Sequence, residues 1–351
     1  MTATRRLLRF TALLITVAVT ACHRDPAVAE REFVARADRY MAAGQVEAAI
    51  LEYRNAIAKL PSAADAHYKL ALAYEKTRAL DKAMREFMEV TELDGGNVDA
   101  HVRVASVLLA AGRFEDAERL VNRVLARDPR NIRALSLAAT ALASGGKAVS
   151  AAKRVSEALA VDPHSATALI ARASLERRRG DVAAARRTLG EALEAEPQAV
   201  DAWIALGSLE EEAGNVDAAS DALEKAFAAS TDKAGARRLL ASFHLRTGHE
   251  ERAEPHLRAL AEISATDRLV LADYYLARNK QDLAATILEG LLGDKELAAE
   301  ARLRRAALAG VRGRLSEAGR ELTYAIGNPA TEVRARLATS ELLLHLSLIH
   351  I

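Results

Sequence analysis

The sequence predicts an all-α chain, an α-solenoid of stacked helical hairpins, on three observations. Half of the 351 residues are hydrophobic while only 4% are aromatic, and alanine alone supplies 78 of them. Ala, Leu, Glu and Arg lose little rotamer freedom in a helix, so this composition favours helices and argues against an all-β fold. Glycines also recur on a grid of 34 residues, at Gly44, Gly112, Gly146, Gly180, Gly214 and Gly248, with Arg78 at the remaining grid point. Five residues after each grid point stands an alanine, from Ala49 through Ala83, Ala117, Ala151, Ala185 and Ala219 to Ala253. Two slightly shorter units, placed with turns at Lys280 and Gly313, add Ala285 and Ala318. A fixed period of this length marks a repeat architecture in which each unit buries its apolar face on its neighbours.

The first element is an address. Residues 1–21 read as a signal peptide: Arg5, Arg6 and Arg9 precede an apolar run from Phe10 to Val19, far short of the roughly 20 residues that span a bilayer. Val19-Thr20-Ala21-Cys22 resembles the bacterial lipobox, and Cys22 is the only cysteine. That resemblance implies cleavage before Cys22, acylation of its thiol and new amino group, and a stable membrane anchor. His23 stands where the enterobacterial inner-membrane retention signal has Asp, so the expected location is the outer membrane, facing the periplasm. Residues 22–29 are expected to form a short linker.

The repeats occupy residues 30–345. In residues 98–129 the first helix carries Val102, Ala105, Leu108 and Leu109, and Gly112 ends it in a left-handed conformation. The second carries Phe114, Ala117, Leu120, Val121, Val124 and Leu125 until Asp128-Pro129 stops it. Seven residues before each turn the side chain is small: Ala37, Ala71, Ala105, Ala139, Ala173, Gly207, Ala241 and Ala306, with Asp273 as the exception. Prolines 61, 129, 163 and 197 lie 17 residues after a turn. Turn glycine, flanking small residues, a large residue in the second helix (Tyr53, Phe87) and a terminal proline resemble the tetratricopeptide repeat (TPR). The resemblance implies a TPR α-solenoid, a right-handed superhelix of about nine helix-turn-helix repeats. Departures are Arg78 for the turn glycine, Gly95 for a terminal proline, and Pro255, which is expected to delay or kink its helix. Trp203 begins a first helix and is expected in the core.

A last first helix is expected from Ala330 to about His345, presenting Leu337, Leu342, Leu343 and Leu344 with no second helix to cover them. Residues 346–351 match what a sequencing adapter encodes, so the natural chain is expected to continue beyond residue 345.

Catalytic chemistry finds no support. The Gly145-Gly146-Lys147 turn lacks P-loop spacing, and neither a zinc-protease His pair nor a nucleophile elbow occurs. No enzyme activity, cofactor or metal set is therefore expected. His67 and His101 occupy equivalent places and read as packing residues. His244, His249 and His256 straddle a turn and Pro255, with no i, i+4 pair to bring two rings together. With 49 basic and 48 acidic residues the net charge is +1, or −2 once the leader's three arginines are removed, which excludes the electrostatic footprint of a nucleic-acid binder. Arg177-Arg178-Arg179 and Glu210-Glu211-Glu212 are expected to belong to ion pairs between repeats.

The TPR resemblance implies a concave groove lined by first helices, with positions six and ten before the turn pointing inward. Six before, Ser106, Thr140, Ser174, Ser208 and Ser242 form a column of hydroxyls; ten before stand Val34, Tyr68, Val102, Ser136, Ile170, Ile204 and Arg238. Tyr68, Ile170, Ile204 and the hydroxyl column are thus the candidate binding residues. The Lys and Asn of an Hsp90-type clamp are missing. The expected function is a non-catalytic, lipid-anchored scaffold binding protein partners in an envelope assembly, similar to TPR lipoproteins of exopolysaccharide export and exosortase systems. Polysaccharide binding is the alternative, and a docking portion of a longer protein the second alternative.

Overall fold

A computed structural model describes residues 25–349, with side chains through residue 342. The 1–21 leader, Cys22 and the end of the 346–351 tail lie outside the described residues. Among the described residues there are nineteen helices and no strand, and they fall into two compact units that divide after Pro197.

The first unit holds five hairpins. They are α1 (Pro26–Ala42) with α2 (Val46–Lys59), α3 (Ala64–Lys76) with α4 (Leu80–Leu93), α5 (Val98–Ala110) with α6 (Phe114–Arg127), α7 (Ile132–Ser144) with α8 (Ala148–Val161), and α9 (Ala166–Arg178) with α10 (Val182–Ala195). The second unit holds α11 (Val200–Glu212) with α12 (Val216–Ala229), α13 (Lys233–Arg246) with α14 (Glu250–Ala261), α15 (Ala265–Ala277) with α16 (Gln281–Gly290), α17 (Ala298–Val311) with α18 (Leu315–Ile326), and the final α19 (Glu332–Ile349).

Each hairpin closes as the glycine grid demands. All seven turn glycines, Gly313 included, have φ between +72° and +81°, a region closed to most side chains. Around Gly112, Gly112 N–H donates to the Leu109 carbonyl (3.0 Å) and Arg113 N–H to that of Leu108 (2.8 Å), which satisfies the carbonyls a helix end leaves orphaned. The small residues flanking the turns are buried: Ala37, Ala49, Ala71, Ala105 and Ala117 are wholly inaccessible. At Gly207 even a methyl group is excluded, because a Cβ there would stand 2.8 Å from Leu223 Cγ. Tyr53 and Phe87 fill the second helices at 2% and 1% exposure.

Several boundaries differ from expectation. Asp25 caps α1 through its side chain and Pro26 occupies the first turn, so Ala29 and Glu30 are buried helix residues and the linker is shorter than 22–29. The eighth turn is at Asn279 (φ +55°) and not at Lys280. Asn reaches this conformation because its short polar side chain bonds locally. The shift turns the apparent exception at Asp273 into an exposed residue and puts Ala272 and Ala284, both fully buried, at the two close-approach places. Only the seventh repeat is short, 31 residues from Gly248 to Asn279, and its second helix α14 starts on time and continues across Pro255. Trp203 is half-buried, not core, with Lys225 Nζ 4.6 Å from its ring. The last helix continues past the expected end near His345 to Ile349. Its Ala335 is buried against Ala306 and Leu322 while Leu337 is exposed.

Candidate functional site

Side chains of the first helices meet their counterparts in the next repeat, and the two units do this differently. In the first unit the Tyr68 hydroxyl donates to Asp99 Oδ2 (2.9 Å). Asp99 also accepts from Arg103 Nε and from Arg133 Nη2 at 3.3 Å, while Arg103 Nη1 reaches both Glu75 oxygens (2.8 and 2.9 Å). Burial pushes the Asp99 carboxyl up, but the hydrogen bonds from Arg103 and Tyr68 outweigh it and hold the group below the usual carboxylate value. Lys69 likewise reaches back to Asp38 (2.9 Å).

In the second unit Arg238 Nε and Nη2 clamp the two oxygens of Asp267, the former at 3.0 Å. Arg238 Nη1 is buried and has no hydrogen-bond partner. Beside it opens a cavity of about 490 Å³. Helix α13 supplies Arg238, Ala241, Ser242, Leu245 and Arg246, α14 adds Leu257 and Leu260, and α15 closes it with Asp267 and Val270. Arg246 forks onto both oxygens of Glu211 (3.0 and 2.9 Å) and donates to Ser242 Oγ (2.9 Å). The walls are otherwise aliphatic, with Val270 exposed at the mouth. Such a site takes an apolar group, with the Arg238 and Arg246 side chains on its border.

The candidate groove residues divide between the units: Tyr68, Ser106, Thr140, Ile170 and Ser174 lie in the first, Ile204, Ser208 and Ser242 in the second. Ser106 Oγ donates to its own helix at Val102 (2.8 Å) and Thr140 Oγ1 to Ser136 (3.1 Å). Ile170, Ile204, Ser174 and Ser208 are half-buried, and of the hydroxyl column Ser242 alone lines the cavity. Nothing in the sequence pattern marks the cavity, although Arg238 is the one cation among the positions ten before the turn. Of the two charge triplets, Arg178 donates to the Ala143 carbonyl (3.0 Å) and Glu211 takes Arg246.

The histidines also separate. His67 Nε2 faces the Pro61 carbonyl (3.1 Å) and Nδ1 the Glu86 carboxylate (2.6 Å). The Glu86 hydrogen bond raises its pKa against the opposing effect of burial. His101 is wholly buried and bonds the Asn97 carbonyl through Nδ1; burial lowers its pKa. His244 and His256 stack at 5.9 Å, with 16° between ring planes. No i, i+4 pair brings rings together, as the spacing indicated, but the hairpin does pair these two across its helices.

Profiles of the TPR repeat match residues 37–77, and tetratricopeptide-repeat profiles match 64–97, 87–141, 170–232 and 205–268. The chain belongs to the tetratricopeptide repeat family. No curated protein matches the sequence. Among solved structures, a tetratricopeptide repeat protein from Parabacteroides merdae is 19% identical with a TM-score of 0.50, over 67% of this chain and 93% of that one. Pseudomonas aeruginosa pilF is 17% identical (TM-score 0.41; 62% and 100%). MamA from Desulfovibrio magneticus is 18% identical (0.41; 48% and 96%). At 19% identity and a TM-score of 0.50, the likeness to the Parabacteroides merdae protein shows the fold alone. TPR proteins mediate protein–protein contacts and are typically non-catalytic scaffolds. Among the described residues no helix is long and apolar enough to cross a membrane.

Proposed function

We propose that this TPR protein is a non-catalytic scaffold that captures a protein partner in the α13–α15 cavity and is tethered to a bacterial envelope through acylated Cys22. The cavity carries the reading. It is a mostly aliphatic recess bordered by Arg238 and Arg246, which suits an aliphatic or aromatic side chain flanked by a carboxylate or carbonyl acceptor. Burying one such side chain contributes about 1.5–3 kcal/mol, enough to anchor a segment whose remaining contacts only exclude water. The lipobox resemblance of Val19 to Cys22 supports the tether, and outer-membrane placement follows from His23. Polysaccharide binding draws less support, because the Ser106, Thr140 and Tyr68 hydroxyls already donate within the protein.

The test is a photo-crosslinking residue at Val270, at the cavity mouth, in living cells. One protein partner should be captured, and Ser242→Trp, which fills the recess from an exposed position, should reduce capture at least ~10-fold, matching the loss of one buried anchor. Capture that survives Ser242→Trp, or that equals capture by the same probe at Ser106, would remove the cavity from the reading. Separately, Cys22→Ala should move the protein out of the membrane fraction; retention there would remove the tether.

A further inference from the structure

His244 and His256 lie on α13 and α14, either side of the Gly248 turn, and Glu224 lies on α12 of the preceding hairpin. Packing brings one donor atom from each within 4.8 Å of the others. Glu224 Oε1 is 3.9 Å from His256 Nε2, too far for a hydrogen bond. His244 is 2% exposed and its Nδ1 has no partner. Phe243 stands edge-on to His244 (5.3 Å) and Phe227 to His256 (6.2 Å), so each imidazole packs against one aromatic ring. Burial, with His256 as the next contributor at His244 and Arg237 at His256, holds both rings below the ordinary histidine pKa.

We propose that Glu224, His244 and His256 form a binding site for a divalent transition-metal ion of the zinc type. Two imidazoles and one carboxylate suit a borderline ion and not magnesium or calcium, which prefer all-oxygen sets. Zinc bonds of about 2.0–2.2 Å need the donor atoms somewhat closer than they stand. Glu224, half exposed and free to change rotamer, can close the gap on its side, while the His244 and His256 rings must turn out of their stacked arrangement to aim at one ion. Three protein ligands leave the fourth position to water on the solvent side of Glu224. The ion would tie α12 to both helices of the following hairpin, a staple across a repeat boundary that does not depend on the proposed partner cavity.

The experiment uses untagged full-length protein carrying Cys22→Ser, so that no thiolate competes, stripped with chelator and then titrated with ZnCl2 by calorimetry and with CoCl2 by visible absorption. The expected results are one equivalent bound, a tetrahedral-type cobalt spectrum and a raised Tm. Glu224→Gln and His256→Asn should each weaken zinc binding at least ~10-fold. Glu224 is exposed, so its variant folds and keeps the test decisive even where a histidine variant does not. No uptake at submillimolar zinc, or uptake undiminished in both variants, would overturn the site.

Discussion

Ten residues before the turn stand Tyr68 in the second repeat and Arg238 in the seventh, and both reach forward to an aspartate in the next first helix, Asp99 and Asp267. In the first unit the acid is shared among three donors, and the polar face closes on itself. In the second unit the arginine is clamped by one acid, keeps an N–H unspent and borders an apolar cavity. One repeat position thus knits the polar face together in one unit and borders a cavity in the other. Duplication supplies the geometry, and a single side-chain replacement changes what that geometry is for.

The largest break in this comparison should come from Asp267→Ala. The side chains of Arg238 and Asp267 are 26% and 10% exposed, so removing the acid strands a largely buried guanidinium. Loss of charge-assisted hydrogen bonds on this scale costs about 2–3 kcal/mol. Trp203, the only Trp, sits in the second unit, so urea unfolding followed by its fluorescence reads the effect locally. Tyr68→Phe, read by hydrogen exchange in α3 and α5, should cost only about 0.5–1.5 kcal/mol, since Asp99 keeps both arginines. Equal costs would show that the two pairs are equivalent after all.

The turns offer a second contrast of about half that size. Arg78 in the first unit and Asn279 in the second both hold positive φ, +61° and +55°. Arg has no local bond to offset the strained conformation and Asn does, so Arg78→Gly should stabilise by about 0.5–1 kcal/mol while Asn279→Gly should be nearly neutral. A gain at Asn279 as large as that at Arg78 would contradict the assignment of strain.

These positions also mark how far the amino-acid pattern alone reaches. The Gly44-to-Gly248 grid and the alanines at fixed offsets announce the hairpins, because left-handed turns and close helix contacts tolerate few residues. Asn279 escaped because Asn can stand in for the turn glycine, and a three-residue shortening moves Ala272 and Ala284 off the grid together. The cavity beside Arg238 escaped for a different reason. It depends on how three helices splay, which periodicity does not encode, and Asp267 joins Arg238 only across a shortened repeat. His244 and His256 met for the same reason, brought together by the hairpin.

Histidine titration should set His67 apart from the three rings lowered by burial. His67, raised chiefly by its Glu86 hydrogen bond, contributes stability that is complete below about pH 6.5, its unfolded value, and is lost as pH rises through the folded value. His244 and His256, lowered chiefly by burial, do the reverse: their contribution is complete above about pH 6.5 and is lost as pH falls through their folded values. His101 in the first unit should side with the latter pair. Ring-proton NMR checks all four, and a His67 midpoint below those of His244 and His256 would refute the assignment.

The smallest effect expected separates a repeated residue from a working one. Ser106 Oγ donates to Val102 of its own helix, a bond that adds little and competes with the backbone, so Ser106→Ala should change stability by no more than about 0.5 kcal/mol and leave partner capture untouched. Ser242 stands at the same place in its repeat, yet it accepts from Arg246 and lines the cavity. Ser242→Ala frees one Arg246 N–H without filling the recess, so stability should hold while partner affinity changes. If both serines behave alike in stability and in capture, the hydroxyl column is a legacy of duplication along its whole length, and recognition in the second unit rests on Arg238 and the aliphatic walls alone.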